Sequence, residues 1–321
     1  MVIPRISPLG VLITLGTAVY LTACATATPP ARLSLISVTD AQSLHEVGIL
    51  RVPNCTNPDD KSTGVETIAF SPEGRILAIG SRDGCLLLWE IETNTIITLD
   101  HAHSSFGIDQ VVFSSKGQLA SIDDRSTIEI WDIETQQLLQ IMYVFDGPDM
   151  RINPPAEIAF SPDGRFIASG SPELFAKLWD TQSFKLLHTF EHPESEDWPP
   201  LWIPRVSFSR DSTKLFTMTS KNEKWQWDVE TYSNLTVEPY ETWSAEDLRS
   251  YSPDGTVYAE PAPVSEDPKQ FVVKNAHTHE TLLALSEHEF TVWQIQFSPD
   301  GKLLATGGLD GQVILWGVME P

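Results

Sequence analysis

One tetrapeptide recurs six times along the chain at nearly constant spacing, and no other feature limits the possible folds so strongly. Most copies consist of Ser, Pro, an acidic residue and Gly, and they start at Ser71, Ser114, Ser161, Ser209, Ser252 and Ser298. Successive starts are 43, 47, 48, 43 and 46 residues apart. A period of this length indicates a repeat architecture, in which one small unit is copied and packed against its neighbours.

Each tetrapeptide has the composition of a tight turn. An aromatic residue that ends an alternating apolar stretch precedes every copy: Phe70, Phe113, Phe160, Phe208, Tyr251 and Phe297. Proline's fixed φ suits the first corner of a type I turn, and glycine accepts the exit geometry. The sequence therefore predicts a hairpin turn at each of the six positions.

A tryptophan forms the second landmark of the repeat, 17 or 18 residues after the start of the turn. It is found at Trp89, Trp131, Trp179, Trp227 and Trp316. In the last repeat a small-residue strand, Leu304 to Gly308, a turn at Asp310-Gly311 and an apolar strand, Val313 to Trp316, lie between the landmarks. A further strand follows the tryptophan in most repeats, so the pattern predicts four short strands per repeat and an all-β chain.

At these landmarks the chain resembles the WD40 repeat family over about residues 62 to 317. The resemblance implies a β-propeller in which each repeat forms one four-stranded blade. Six blades are expected, since there is no seventh turn motif; repeat 5 is counted although Lys274-Asn275 replaces its Trp-Asp pair. Seven blades are the alternative, because Leu33 to Thr39 resembles another third strand and could be an extra edge strand or the remnant of a seventh blade.

The ends of the chain are expected to close the ring together. The sequence stops at Pro321, just after the third strand of repeat 6, and in this family the N-terminal segment supplies the missing fourth strand. Ser43 to Val52 is the candidate for that strand. Its pairing would also remove an exposed sheet edge.

The resemblance further implies a buried hydrogen-bonded tetrad, with a structural and not a catalytic role. The last repeat carries all four members: His288, Thr306, Asp310 and Trp316. Repeat 2 has His103, Ser121 and Trp131 but Arg125 at the Asp position, so its network is expected to be incomplete. Repeat 1 has Asp83 and Trp89 without the His or the Ser.

Residues 1 to 23 are predicted to be a signal peptide and not part of the fold. Arg5 is the one charged residue before an apolar run from Leu9 to Tyr20, which is too short to cross a membrane as a helix. Leu21 to Cys24 resembles the lipobox of bacterial lipoproteins, which implies cleavage and lipidation of Cys24. Signal cleavage without a lipid, or an uncleaved anchor, are the alternatives.

This reading divides the chain into the signal peptide, a lipidated Cys and tether over 24–31, and a propeller domain over 32–321. The protein is then exported to a bacterial cell envelope, as a periplasmic or surface lipoprotein. Ala25 after the cysteine favours an outer membrane where the cell has one.

Charge restricts the partners. The chain has 21 Lys and Arg against 44 Asp and Glu, a net charge of −23. Nucleic acid and anionic lipid are therefore not expected to bind through a basic patch. The acidity is expected to keep an exported, β-rich protein soluble and to discourage edge pairing, with a dedicated cation or basic-partner site as the alternative. We expect a monomer that binds another protein.

Cys55 and Cys85 are predicted to form a disulfide. In a propeller the loop that enters a blade and the turn between its second and third strands emerge on one face, and an exported chain is in an oxidising compartment. Two free thiols are the alternative, and two cysteines alone are a poor metal site.

The sequence contains no recognisable catalytic, metal or cofactor site. His101-Ala102-His103 and His277-Thr278-His279 are weak zinc candidates because two histidines need further ligands. Phosphate-binding glycine loops, His-Glu-x-x-His and nucleophile-elbow motifs are missing, and no pair among the 44 carboxylates is singled out as acid and base.

Long loops on the Cys55 face combine acids with large aromatic residues, which is typical of a recognition surface. The predicted partner-binding residues are Trp198, Trp202, Tyr240, Trp243, Glu196 and Asp197. We therefore expect a non-enzymatic protein–protein interaction scaffold. The alternative is a propeller hydrolase or lyase with a site in the central channel, although the innermost strands offer only isolated polar positions.

Overall fold

The computed structural model describes residues 33–55, 63–99, 103, 107–144, 157–171, 174–193, 203–239, 249–262 and 267–319. Regular structure in these ranges is β-strand, apart from one 3₁₀ turn at Ala41–Ser43. Within the same ranges no helix has the length and apolar character needed to span a membrane.

The described strands form six antiparallel sheets, numbered here along the chain. Sheet 1 contains β3 (Val65–Phe70), β4 (Ile76–Ser81), β5 (Leu86–Glu90) and β6 (Thr95–Thr98), and sheet 2 contains β7 (Ile108–Phe113), β8 (Gln118–Asp123), β9 (Thr127–Asp132) and β10 (Gln137–Tyr143). Sheet 3 contains β11 (Ile158–Phe160), β12 (Phe166–Ser169), β13 (Phe175–Asp180) and β14 (Leu186–Glu191), and sheet 4 contains β15 (Arg205–Phe208), β16 (Lys214–Met218), β17 (Glu223–Asp228) and β18 (Asn234–Pro239). Sheet 5 contains β19 (Ser250–Tyr251), β20 (Val257–Pro261), β21 (Phe271–Asn275) and β22 (Thr281–Leu285), and sheet 6 contains β23 (Val292–Phe297), β24 (Leu303–Gly308), β25 (Gln312–Met319), β2 (His45–Arg51) and β1 (Leu33–Ser34).

The repeated tetrapeptides connect the first and second strands of each sheet. In the sixth copy the Gly301 amide donates to the Ser298 carbonyl (2.9 Å), and Gly301 has φ +70°, a conformation that glycine adopts without steric cost. The Ser298 hydroxyl donates to Asp300 Oδ1 (2.6 Å), which fixes the corner of the turn. The fourth copy holds Ser212 at φ +61° in the place of glycine.

The first strands pack side by side as an inner layer: β23 on β3, β3 on β7, β7 on β11, β11 on β15, and β19 on β23. Backbone amides of one inner strand donate to side-chain oxygens of the preceding one. Phe70 N donates to Gln296 Oε1 (2.9 Å), and Ile158 N donates to Gln110 Oε1 (2.6 Å). These bonds connect sheet 6 to sheet 1 and sheet 2 to sheet 3.

Buried apolar clusters fill the spaces between neighbouring sheets. Separate clusters join sheets 6 and 1, 1 and 2, 2 and 3, 3 and 4, and 5 and 6. Among the described residues no such cluster joins sheets 4 and 5, and every residue of β18 is exposed. The all-β architecture of four-stranded antiparallel sheets around an inner layer is consistent with a β-propeller.

The two ends of the described chain meet in sheet 6. The predicted closing strand is present as β2, which pairs with β25 from His45 opposite Gly317 to Arg51 opposite Gln312. The segment that resembled another third strand contributes β1, whose Leu33 pairs with Met319 at the far end of the same strand. Within the described residues it is therefore an additional edge of sheet 6.

Candidate interaction face at the loop end of the sheets

Antiparallel pairing gives the sheets two distinct ends. We call the end that carries the tetrapeptide turns the turn end. The opposite end, where the inner strands begin and where turns such as Asp83-Gly84 and Asp310-Gly311 lie, is called the loop end. Polar networks of described residues lie at the loop end, and exposed groups available for recognition lie beside these networks.

In sheet 6 the structure brings all four predicted tetrad residues together. The Trp316 indole N–H donates to Thr306 Oγ1 (3.0 Å), and the Thr306 hydroxyl lies 2.9 Å from His288 Nε2. His288 Nδ1 lies 3.1 Å from Asp310 Oδ2, which also accepts a bond from the Glu289 amide (2.7 Å). Burial raises the pKa of the Asp310 carboxyl, but the hydrogen bond and charge of His288, together with the backbone amides of Glu289 and Gln312, outweigh burial, so the pKa is below its usual value.

Sheet 2 keeps the histidine, hydroxyl and acid contacts of the network although Arg125 stands at the expected Asp position, while Trp131 Nε1 has no hydrogen-bond partner among the described residues. His103 Nδ1 lies 3.0 Å from Asp123 Oδ2, and its Nε2 lies 2.8 Å from the Ser121 hydroxyl. Asp123 Oδ1 accepts the backbone amides of Arg125 (3.0 Å) and Thr127 (2.8 Å). The expectation of an incomplete network was therefore wrong about the acid, because Asp123 at the end of β8 reaches the histidine from two residues earlier.

A third network, in sheet 4, was missed by sequence reasoning. Thr217 Oγ1 accepts the Trp227 indole N–H (2.9 Å) and lies 2.7 Å from His192 Nε2. Burial lowers the pKa of His192 to about 4, so the ring is neutral at physiological pH. The signal was available, since Thr217 precedes Trp227 by ten residues, the same interval that separates Thr306 from Trp316.

Sheet 5 replaces this network with ion pairs. By strand register, Glu260 occupies the position of Thr306, and Lys274 occupies that of Trp316. Glu260 accepts bonds from Lys274 Nζ (2.6 Å) and Arg249 Nε (2.8 Å). Burial raises the pKa of Glu260, but these two cations outweigh burial and the pKa is lowered. The degenerate repeat therefore still pairs the buried polar groups at this position.

In sheet 1 a disulfide fixes the incoming loop. Cys55 and Cys85 are bonded, with their Cα atoms 5.7 Å apart, and the Cys55 amide donates to Asp83 Oδ2 (2.7 Å). The hydroxyls of Thr63 and Ser81 donate to the other oxygen of Asp83. This repeat lacks the histidine of the tetrad. The Asp83 carboxylate, which accepts several hydrogen bonds, and the disulfide connect the residues at this position instead.

Three neighbouring inner strands begin with a β-bulge at the loop end. The strand pairing skips Trp293 in β23, Glu66 in β3 and Asp109 in β7. Each bulged residue stands four positions before the aromatic residue that ends its strand, as Trp293 does before Phe297. Because β3 packs between β23 and β7, the three bulges line up as an aromatic residue followed by two acids.

The exposed aromatic groups are at the sheet 6 end of this row. Trp293 is 51% exposed and Phe290, in the loop before it, is 59% exposed. Glu289 lies beside Phe290 in the chain and forms an exposed ion pair with Arg51 (3.6 Å). We refer to Trp293, Phe290, Glu66 and Asp109 as the loop-end patch.

The two acids of the patch have different surroundings. Glu66 Oε1 accepts a bond from Arg82 Nε (2.6 Å), which keeps a cation beside it. Burial raises the pKa of Asp109 to about 8, with further contributions from the hydrogen bond and charge of Asp124. Asp109 is therefore mostly protonated at neutral pH. Asp109 and Glu66 become neighbours through the packing of β7 on β3, so the sequence did not single them out as a pair.

The partner-binding residues predicted from the sequence, Trp198, Trp202, Tyr240, Trp243, Glu196 and Asp197, lie outside the described residues, as does Cys24. His101 also lies outside them, whereas His279 Nδ1 lies 3.3 Å from the Tyr258 hydroxyl. In the part of the chain that the structure describes, no group of three or more His, Cys, Asp or Glu side chains is arranged to hold a metal ion.

Comparison with known proteins identifies the repeat in part of the chain. The family model described as "WD domain, G-beta repeat" matches residues 54–90, 143–180 and 279–317. The chain carries WD40 repeats in these three places. They include most of sheet 1, the end of sheet 2 with most of sheet 3, and sheet 6, which has the complete tetrad.

Several curated proteins are similar to this chain. The "Small ribosomal subunit protein RACK1" of Schizosaccharomyces pombe is 30% identical over 118 residues, which are 36% of this chain and 37% of that protein. The "WD repeat-containing protein SL1-17" of Schistosoma mansoni is 31% identical over 38% of each chain. The "Periodic tryptophan protein 2 homolog" of Dictyostelium discoideum is 24% identical over 80% of this chain. The alignments span between 26% and 38% of these relatives' lengths.

Replacing each of two equivalent tryptophans, Trp316 and Trp131, is predicted to lower the free energy of unfolding by different amounts. Trp316→Phe removes a buried hydrogen bond to Thr306, whereas Trp131 Nε1 has no hydrogen-bond partner among the described residues. Both side chains are almost fully buried, so the volume lost is matched. Urea unfolding should show that Trp316→Phe destabilises by about 1 to 3 kcal/mol more than Trp131→Phe. Equal costs would contradict a stabilising role for the tetrad.

Protonation of His192 should destabilise the fold in mild acid. Its pKa of about 4 lies below the value of about 6.5 expected in the unfolded chain, so the unfolded state binds more protons between these values. The free energy of unfolding should therefore fall as the pH drops from about 6.5 to about 4. His192→Gln keeps a hydrogen-bonding group for Thr217. In this variant the slope of the unfolding free energy against pH should decrease in this range, by an amount that corresponds to the uptake of up to about one proton on unfolding. An unchanged slope would show that His192 is not held neutral.

Proposed function

We propose that the protein is a non-enzymatic protein–protein interaction scaffold that binds a basic partner at the loop end of a six-bladed propeller. The observation that carries this proposal is the row formed by Trp293, Glu66 and Asp109 on three adjacent inner strands. An exposed indole beside the Glu66 carboxylate is suited to a lysine or arginine side chain, since the ring face attracts a cation and Glu66 already holds one in Arg82.

The charge of the chain supports a basic partner. At −23 overall, the surface field attracts cationic proteins and accelerates their encounter with the loop end. Phe290 and Trp293 add the large aromatic groups that are enriched at interface hot spots. The row lies beside the disulfide-linked loop of sheet 1, so a partner would meet a surface held in place before binding.

Two relatives carry names that place them in larger assemblies. One is a "Small ribosomal subunit protein", and another, from Rattus norvegicus, is "Telomerase protein component 1", 25% identical over 79% of this chain. These names support an interaction role for the repeat.

Export and lipid anchoring are part of the same proposal. They rest on the sequence of residues 1 to 24, with its apolar run and its Leu-Thr-Ala-Cys ending. A disulfide in the structure agrees with an oxidising compartment, such as the bacterial cell envelope. The scaffold would then be tethered to a membrane by the lipid on Cys24.

A propeller hydrolase or lyase is the second candidate, and Asp109 is the observation in its favour. The Asp109 carboxyl group has a pKa of about 8 and is hydrogen-bonded to the Asp124 carboxyl group. Asp109 could serve as a general acid, with Asp124 as the base beside it. The scaffold is preferred because the described loop end shows exposed aromatic groups but no nucleophile or metal cluster beside this pair.

The scaffold proposal predicts that Trp293 is needed for partner capture. Chemical crosslinking in intact producing cells should yield an adduct with the wild-type chain. For the isolated pair, Trp293→Ala should weaken binding about tenfold or more, because truncating an aromatic anchor at an interface centre costs about 2 kcal/mol or more. Leu235→Ala, at a similarly exposed apolar residue on β18, is the matched control and should bind normally.

Other outcomes would discriminate between the candidates. If Trp293→Ala captures the partner normally, and replacement of Trp198, Trp202, Tyr240 and Trp243 abolishes capture, the interface lies on the long loops and not on the loop-end patch. Normal capture by both variants would contradict the scaffold proposal. Turnover of a chromogenic ester or glycoside that is abolished by Asp109→Asn would favour the enzyme.

A further inference from the structure

The described chain emerges at the turn end of sheet 6. Leu33 pairs with Met319, the last residue of β25, and the Ile36 amide donates to the carbonyl of Gly301 (2.9 Å) within a tetrapeptide turn. Strand β1 therefore begins at this end, opposite the loop-end patch.

The segment after Leu33 is packed against the sheets and does not extend the tether. Ile36, Ala41 and Leu44 are buried in one cluster with Phe271 and Trp316, which belong to sheets 5 and 6. Because these side chains fill the space between two sheets, the point of attachment is fixed at Leu33.

Exposed apolar groups surround this attachment point. Leu35 is 56% exposed, and Met319 and Tyr251 are each 50% exposed. A Cβ placed on Gly301 would lie 3.4 Å from Leu35 Cδ2 and 3.3 Å from Pro253 Cδ, so these two side chains flank the same turn. We refer to Leu35, Tyr251, Pro253 and Met319 as the turn-end patch.

The distance from Cys24 to Leu33 is short. Nine residue steps separate them, and a fully extended chain of that length spans about 30 Å. A six-residue strand is about 20 Å long, so reaching a membrane at the loop end would use most of the tether along the side of sheet 6. The turn end can reach the same membrane without this detour.

We propose that the turn-end patch lies against the bilayer that holds the lipid of Cys24, so that the loop-end patch faces away from the membrane. This orientation rests on the proposed lipid anchor. The anchor brings the patch and the lipid surface together at a high effective concentration, so a small apolar contact area is enough to set the orientation.

Charges beside the patch define the kind of lipid surface it fits. Asp254 and Asp300 belong to the flanking turns, and each accepts a hydrogen bond from a turn serine (2.6 Å). The serine hydroxyl and the Thr256 amide keep the pKa of Asp254 below its usual value. The Asp254 carboxylate therefore stays ionised beside the patch, so the patch fits the headgroup layer of a bilayer without net charge and does not insert into the hydrocarbon core.

A fluorescence experiment on the lipidated full-length chain tests this orientation. A new cysteine is the free thiol available for labelling, because Cys24 is acylated and Cys55 is bonded to Cys85. Leu35→Cys, Phe290→Cys and Leu235→Cys would each carry an environment-sensitive fluorophore in phosphatidylcholine vesicles that contain a headgroup-level quencher lipid. We expect quenching at position 35 to exceed quenching at positions 290 and 235 several-fold. Met319→Cys should behave like Leu35→Cys.

The possible failures are distinguishable. If mass spectrometry finds no acyl group on Cys24, the anchor is wrong, and the orientation is wrong with it. If Cys24 is acylated and position 290 is quenched as much as position 35, the orientation alone is overturned. Equal quenching at positions 35 and 235 would show that the sheets lie side-on to the membrane, which also overturns it.

Discussion

The antiparallel pairing of β2 with β25 is the interaction on which the arrangement of the sheets depends. It places residues 45–51 beside residues 312–317 and so joins the two ends of the described chain in one sheet. Without β2, the edge of β25 would be unpaired. The apolar cluster between sheets 6 and 1 would also lose Leu50 and Val52, which are buried in it. Each sheet is stabilised mainly through its neighbours, so a break at this one position weakens the contacts on both sides of it.

The same position in several sheets pairs its buried polar groups, and the residue types that do so differ from sheet to sheet. Sheet 6 uses His288 and Asp310, sheet 2 recruits Asp123, and sheet 5 substitutes an ion-paired Glu260. A buried donor or acceptor without a partner costs more than a hydrogen bond gains, so most of the repeats keep a network even where its residue types change. Changes of residue type in these networks therefore leave most of the buried polar groups paired.

Features that follow from spacing were predictable from the sequence. The turns at the tetrapeptides and the strands that end in tryptophan depend on local turn chemistry and on a fixed repeat length. The pairing partner of β25 followed from the WD40 resemblance. The loop-end patch was not predicted, because Glu66, Asp109 and Trp293 become neighbours only through bulges on three separate strands. Asp123 and His192 were missed because a network can close through a residue displaced by two positions or through a loop of different length.

Ring closure by β2 is the central claim, and an engineered disulfide tests it most directly. Arg51 and Gln312 are register partners at the loop end of the two strands, so Arg51→Cys/Gln312→Cys should form a disulfide on oxidation. Peptide mapping should show a link between residues 51 and 312, and the free energy of unfolding should rise because the link closes most of the chain into a loop. Arg51→Cys/Ile314→Cys, which is out of register, should not link. No link between residues 51 and 312, or equal linking in both variants, would contradict the closure.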